Sequence, residues 1–175
     1  MNRRFGRLFG YGFFAVAIAV SPLAGCSMAN LGGASTFGAN KLQVAELSNI
    51  GSYTADTALS EARSHFRNND FGYSAAFYKR VVELSPKSPE GYVGLSASYD
   101  RLGRFDLSDR VYASLYALSG GTAQYYNNVG YSYMLRGNLK EAHKNFQKAI
   151  KLEPENVVVA NNLQILARAA AEGRA

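Results

Sequence analysis

Cys26 is the only cysteine among the 175 residues. A lone thiol cannot close an intramolecular disulfide, so it is left free for other sulfur chemistry, acylation included. The two histidines, His65 and His143, are far apart along the chain. Neither has a cysteine or carboxylate cluster at ligand spacing, so no metal site is expected. His65 reads as a packed helix residue, and His143, beside Glu141 and Lys144, as a solvated one. The serines have no G-x-S-x-G context, and no glycine-rich loop follows a predicted strand. Asp106 and Asp109 sit at a helix start, where carboxylates favour the helix dipole. The chain therefore reads as a non-enzyme, with no catalytic residue, cofactor or small-molecule substrate. What remains is binding chemistry. The pair Asn127-Asn128 recurs further along as Asn161-Asn162. Each amide is both donor and acceptor, so the pairs can hold the backbone of an extended segment whatever its side chains. The same amides can instead cap or bridge helices, and at this level both readings stand.

The elements that position these residues repeat. Tyr126, Val129, Gly130, Tyr133, Gly137, Ala142, Phe146, Ala149 and Pro154 define one unit. One unit back it reads Tyr92, Leu95, Ser96, Tyr99, Gly103, Ser108, Tyr112 and Leu115; two units back, Ala58, Ala62, His65, Asn69, Ser74, Tyr78, Val81 and Pro86. This spacing, a period of about 34 residues, resembles the tetratricopeptide repeat. The resemblance implies an all-α helix-turn-helix solenoid of three repeats, residues 55–88, 89–122 and 123–156, followed by a capping helix and tail over 157–175. In the third repeat the expected helices span 123–136 and 139–152. Gly103 and Gly137, with Asn69 in the same slot, fall where the first helix must stop in a left-handed turn. Pro86 and Pro154 end the second helices. Gly130 and Ala142 allow close approach, and Tyr126, Tyr133 and Phe146 fill the surrounding space. The many tyrosines at repeat core positions are expected to pack with their hydroxyls near the surface. Ahead of the repeats, residues 41–54 are expected to cover the first unit, with Leu42, Ala45, Leu47 and Ile50 on one face of a short amphipathic helix.

The N-terminal residues have the layout of a secretory signal. Arg3, Arg4 and Arg7 precede an apolar run over 13–20, and Leu23-Ala24-Gly25-Cys26 closes it. The apolar run is too short for the ~20 residues of a membrane span, and Pro22 interrupts it. The closing tetrapeptide resembles the lipobox of bacterial lipoproteins. That resemblance implies a signal peptide over 1–25, removed to leave an acylated Cys26 as the first mature residue and membrane anchor. Ser27, in place of aspartate, implies sorting to the outer membrane, facing the periplasm. Residues 26–40 then form a flexible tether, rich in Gly, Ala and Ser and uncharged, with a reach of roughly 20 Å. Residues 1–25 hold three arginines and no acid, so their removal lowers the net charge from +6 to +3. That mild excess forms no basic stripe, and nucleic acid is not an expected partner.

The tetratricopeptide resemblance also implies a concave groove lined by the first helix of each repeat. Its candidate residues are Arg63, Phe66 and Arg67 in the first repeat, Asn127, Asn128, Tyr131 and Leu135 in the third, and Asn161, Asn162 and Ile165 on the capping helix. Leu59, Gly94, Gln124 and Asn128 stand where members that clamp a C-terminal carboxylate carry lysine, asparagine and arginine, so that ligand is not implied. A short lipoprotein of three such repeats resembles the TadD-like lipoproteins of tight-adherence (Flp) pilus assembly and the pilotins that escort secretins. The resemblance implies a lipid-anchored adaptor with a protein partner, a secretin or another envelope assembly component. An adaptor that docks peptidoglycan hydrolases or synthases is the alternative.

Overall fold

The computed structural model describes residues 43–48 and 50–172, all within the compact unit Gly32–Ala175. The expected signal, Cys26 and tether lie outside the described residues, as does the last of the tail. Seven α-helices follow one another: α1 Ala55–Arg67, α2 Phe71–Leu84, α3 Pro89–Arg101, α4 Phe105–Ser119, α5 Ala123–Leu135, α6 Leu139–Leu152 and α7 Val157–Glu172. They form the helix pairs α1/α2, α3/α4 and α5/α6, with α7 packed on α6. All seven elements are those the repeat implies.

Local chemistry explains the boundaries. Thr54 caps α1 in a reciprocal capping box with Thr57. Pro89 opens α3, where a missing N–H costs nothing. Thr122 accepts from the Tyr125 N–H at 3.1 Å, Asn138 from Glu141 at 3.3 Å, and Asn156 from Val158 and Val159 at 3.1 and 3.2 Å. Asn69, Gly103 and Gly137, one in each repeat, have φ of 61°, 69° and 74°. Asn69 is the one non-glycine with positive φ among the described residues, and asparagine bears that region best after glycine.

Residues 43–48 differ from expectation. They form no helix; they cross the start of α2 as a strap and then enter a single 3₁₀ turn, Ile50–Ser52. Ala45 N–H donates to the Gly72 carbonyl at 3.1 Å. A Cβ on Gly72 would lie 2.1 Å from the Gln43 carbonyl oxygen, so only glycine admits the crossing. Val44 and Leu47 pack onto the core, and Tyr53 meets Phe77 edge-on at 5.0 Å. The strap packs against the first repeat through non-helical backbone, in place of the expected helix.

The apolar interior is divided. One core takes Ala58, Ala62, Phe77, Tyr78, Val81, Leu95, Tyr99 and Leu102 from the first two repeats. The other takes Ala142, Phe146 and Ala149 with Val159 and Leu166 of α7. His65 is packed, as expected, with its ring 5.1 Å from Tyr73 and 5.5 Å from Phe77.

The division falls between α4 and α5, and two substitutions within the repeat explain it. At the first junction Tyr78 lies against Gly94, where an added Cβ would come within 2.1 Å of the ring. One repeat further on, Asn128 replaces Gly94 at the approach of Tyr112. Leu102, buried in the first core, is likewise replaced by Arg136. Helices cannot approach as closely over a Cβ, and a guanidinium cannot close an apolar core.

Candidate functional site

Polar chemistry occupies the space between the second and third repeats. Asp100 of α3 is 4% exposed. Its Oδ2 accepts from the Tyr112 hydroxyl of α4 at 2.8 Å, and its Oδ1 from the Ser132 hydroxyl of α5 at 2.6 Å. Arg136, at the end of α5, donates to Ser132 Oγ at 2.8 Å and to Asp109 Oδ2 at 2.9 Å, and reaches within 4.0 Å of Asp100. Its guanidinium also lies over Phe105 at 4.7 Å. Burial raises the Asp100 pKa, against the lowering effect of the Ser108, Ser132 and Tyr112 hydroxyls and of Arg136. Burial, and then the neighbouring Asp100, push Tyr112 far above the ordinary phenol value. Tyr112 thus departs from the expected surface placement of the tyrosine hydroxyls: its oxygen is inside, joining the repeats.

This network forms part of the wall of a pocket of about 340 Å³. Phe66 of α1 with Ala97 and Arg101 of α3 line one side, and Asn127, Asn128 and Tyr131 of α5 with Val158 and Asn162 of α7 line the other. The first helix of each pair therefore builds the wall, with α7 continuing the series. Five of the ten groove candidates meet here: Phe66, Asn127, Asn128, Tyr131 and Asn162. Arg63 and Arg67 line a second depression with Asp56, Leu59 and Ser60. Leu135, Asn161 and Ile165 are exposed and line neither of these two hollows.

The asparagines divide into two roles. Asn162 Nδ2 donates to Asn127 Oδ1 at 2.8 Å, a bridge between α7 and α5. Asn128 Oδ1 lies at the edge of hydrogen-bond range, 3.5 Å from Asn127 Nδ2, and its own amide NH₂ donates to nothing among the described residues. The bridging reading thus fits Asn127 and Asn162, and Asn128, which also lines the pocket, keeps an unused donor. Ser132 and Arg136 were not among the residues expected at the site. A signal for the network was present: Asp100 stands where the other repeats carry Phe66 and Met134, and Arg136 where the second carries Leu102. Among the described residues no group of three His, Cys, Asp or Glu side chains could hold a metal ion, and no helix is long and apolar enough to cross a membrane.

Stacked helix pairs on this sequence period, with a groove lined by their first helices, define the tetratricopeptide fold. The family model "Tetratricopeptide repeat" matches residues 123–156. The chain is similar to the first such domain of human RPAP3, with a TM-score of 0.59, 21% identity and coverage of 68% of this chain and 94% of that one. It is also similar to the first such domain of Spaghetti (RPAP3) bound to the HSP90 peptide SRMEEVD, with a TM-score of 0.57 and 21% identity over 67% of this chain and 94% of that one. In sequence it is 26% identical over 111 residues to "Small glutamine-rich tetratricopeptide repeat-containing protein 2" of Mycosarcoma maydis. That match takes in 62% of this chain and 31% of the relative, so the chain spans about a third of the relative's length. Residues 123–156 thus match the tetratricopeptide repeat, and the chain shares the fold of these solved neighbours.

Proposed function

We propose that the protein is an outer-membrane lipoprotein adaptor for the assembly of a pilus or secretion machine, holding a polypeptide segment of its partner in the groove. The observation that carries the binding role is the pocket itself. It is mainly apolar, is built by the first helices of successive pairs, and has the open amide of Asn128 and the half-buried ring of Tyr131 on one wall. A peptide bound to a solved domain of the same fold supports this use of it. The anchor rests on Leu23-Ala24-Gly25-Cys26 and the signal-like run before it. Lipid then gives the address, the groove gives the grip, and residues 26–40 let both act together.

Two measurements test the two halves of this reading. Cys26→Ser should shift the protein from membrane to soluble fractions or stall its processing, and mass spectrometry of the mature N-terminus should find acyl chains on Cys26 in the wild type. A processed, soluble wild type with an unmodified residue 26 ends the anchor reading. For the groove, calorimetry against the partner recovered by pull-down should show Asn128→Ala weakening binding by roughly 1 kcal/mol, the worth of one hydrogen bond. Tyr131→Ala should cost more, because aromatic anchors dominate interfaces. Lys79 on α2 and Lys151 on α6 are exposed and outside the groove, so their alanine variants should bind normally. Loss of binding in those two, with Asn128→Ala and Tyr131→Ala unaffected, places the partner on the other face.

A further inference from the structure

Three arginines stand along one side of the groove. Arg101 lines the pocket, and Arg63 and Arg67 line the depression beside it. Their counter-charges are unevenly matched. Arg63 pairs with Glu90. Arg67 is exposed and is paired with no carboxylate among the described residues, and Asp56 is the one acid in the depression it lines with Arg63. Arg101 is exposed and its guanidinium carbon lies over the Phe71 ring, 4.2 Å from the centroid, with no carboxylate partner either among the described residues. A guanidinium held over a ring by cation–π attraction still has N–H groups available to an acceptor.

The acid in the pocket does not balance these cations. Both oxygens of Asp100 accept from buried hydroxyls, and Arg136 stands behind it. An incoming ammonium or guanidinium would have to displace Tyr112 or Ser132 to reach it. The opposite side carries Asn127, Asn128, Tyr131, Val158 and Asn162, with no charge at all. The hollow is thus apolar with a cationic edge on one side only. Its volume of about 340 Å³ is at the small end of ligand sites, roughly 300–1,000 Å³, and suits one large side chain.

We propose that the groove takes an internal segment of its partner in which a large apolar residue fills this pocket and one or more Asp or Glu residues beside it meet Arg101 and Arg67. The inference rests on the groove reading above and specifies its ligand. The acid comes from a side chain and not from a chain terminus, because Leu59, Gly94, Gln124 and Asn128 offer no basic clamp for a terminal carboxylate.

A displayed library of random peptides, joined through their C-termini so that no free carboxylate is present, is selected on the wild-type protein. Recovered sequences should share an apolar residue with an acid close by. Synthetic versions should lose about tenfold in affinity on Arg101→Glu, the scale of one reversed interfacial charge. Affinity should also fall with added salt in the wild type, and less so in that variant. Ala97→Trp should block the pocket and abolish binding; Arg101→Glu lies on the exposed surface and keeps the test open if Ala97→Trp melts early. Selection of basic or anchorless sequences that remain sensitive to Tyr131→Ala overturns this inference and leaves the groove reading in place. Sequences indifferent to Tyr131→Ala, or no enrichment at all, overturn both.

Discussion

Gly130→Leu is expected to unfold much of the third repeat. A Cβ at this position would lie 2.7 and 2.8 Å from two ring carbons of Phe146 and 3.2 Å from the Ala142 carbonyl oxygen. Phe146 is fully buried and is held among Ala142, Ala149, Val159 and Leu166, so its ring has nowhere to go. Overpacking of this kind costs typically 1–3 kcal/mol, and a leucine brings three more carbons to the same contact, so a loss of about 3 kcal/mol or more is expected. Thermal melting followed by circular dichroism reads it directly. Gly51→Ala is the matched control. Nothing lies within 4 Å of a Cβ there, and its melting temperature should be unchanged. An unchanged melt for Gly130→Leu would mean that α5 and α6 do not meet at this point.

The second large effect is expected at Asp100. Asp100→Ala removes the acceptor of two buried hydroxyls and the charge facing Arg136, which should cost about 3 kcal/mol. Asp100→Asn keeps an oxygen for one hydroxyl and offers its NH₂ to the other, and should remain within about 1 kcal/mol of wild type. The carboxamide and carboxylate forms differ in their response to pH. Burial raises the Asp100 pKa in the folded protein above its unfolded value, so the folded state binds the proton more tightly. The resulting stabilisation is fully present below the ordinary carboxylate pKa of about 4 and is lost as pH rises through the folded value. Urea midpoints measured from about pH 4 to pH 7 should therefore fall in the wild type relative to Asp100→Asn. Parallel curves would show that the carboxylate is ionised throughout this range.

What was legible in the chain follows from how far each contact reaches. The turns at Asn69, Gly103 and Gly137 could be read because the backbone demand is local and recurs once in every repeat. Gly130, Ala142 and Phe146 could be read because one helix pair brings them together. Half of the groove candidates converge for the same reason: a repeated helix places equal positions on one wall. The network of Asp100, Tyr112, Ser132 and Arg136 could not be read so, because it joins three helices across a junction whose spacing depends on what fills it. Two departures from the repeat, Asn128 for Gly94 and Arg136 for Leu102, set that spacing. The strap was misread for a different reason. Leu42, Ala45, Leu47 and Ile50 are spaced as on one face of a helix, but the chain packs Val44 and Leu47 onto the core through an irregular crossing held by Gly72, a contact with the start of α2 that no local pattern encodes. The asparagine pairs were ambiguous from the start, since an amide that can hold a ligand can also hold a neighbouring helix.

The strap also decides how the domain bears load. Tension arriving along the chain from its N-terminal side reaches residues 43–48 before any of the seven helices. Resistance there consists of the Ala45–Gly72 hydrogen bond and the packing of Val44 and Leu47, which peel one after another. The helix pairs behind it yield only when side chains of a whole face separate together. Pulled from that end, the chain is therefore expected to lengthen first by surrendering the strap, which would bare the start of α2 before the helix pairs and their groove lose their shape.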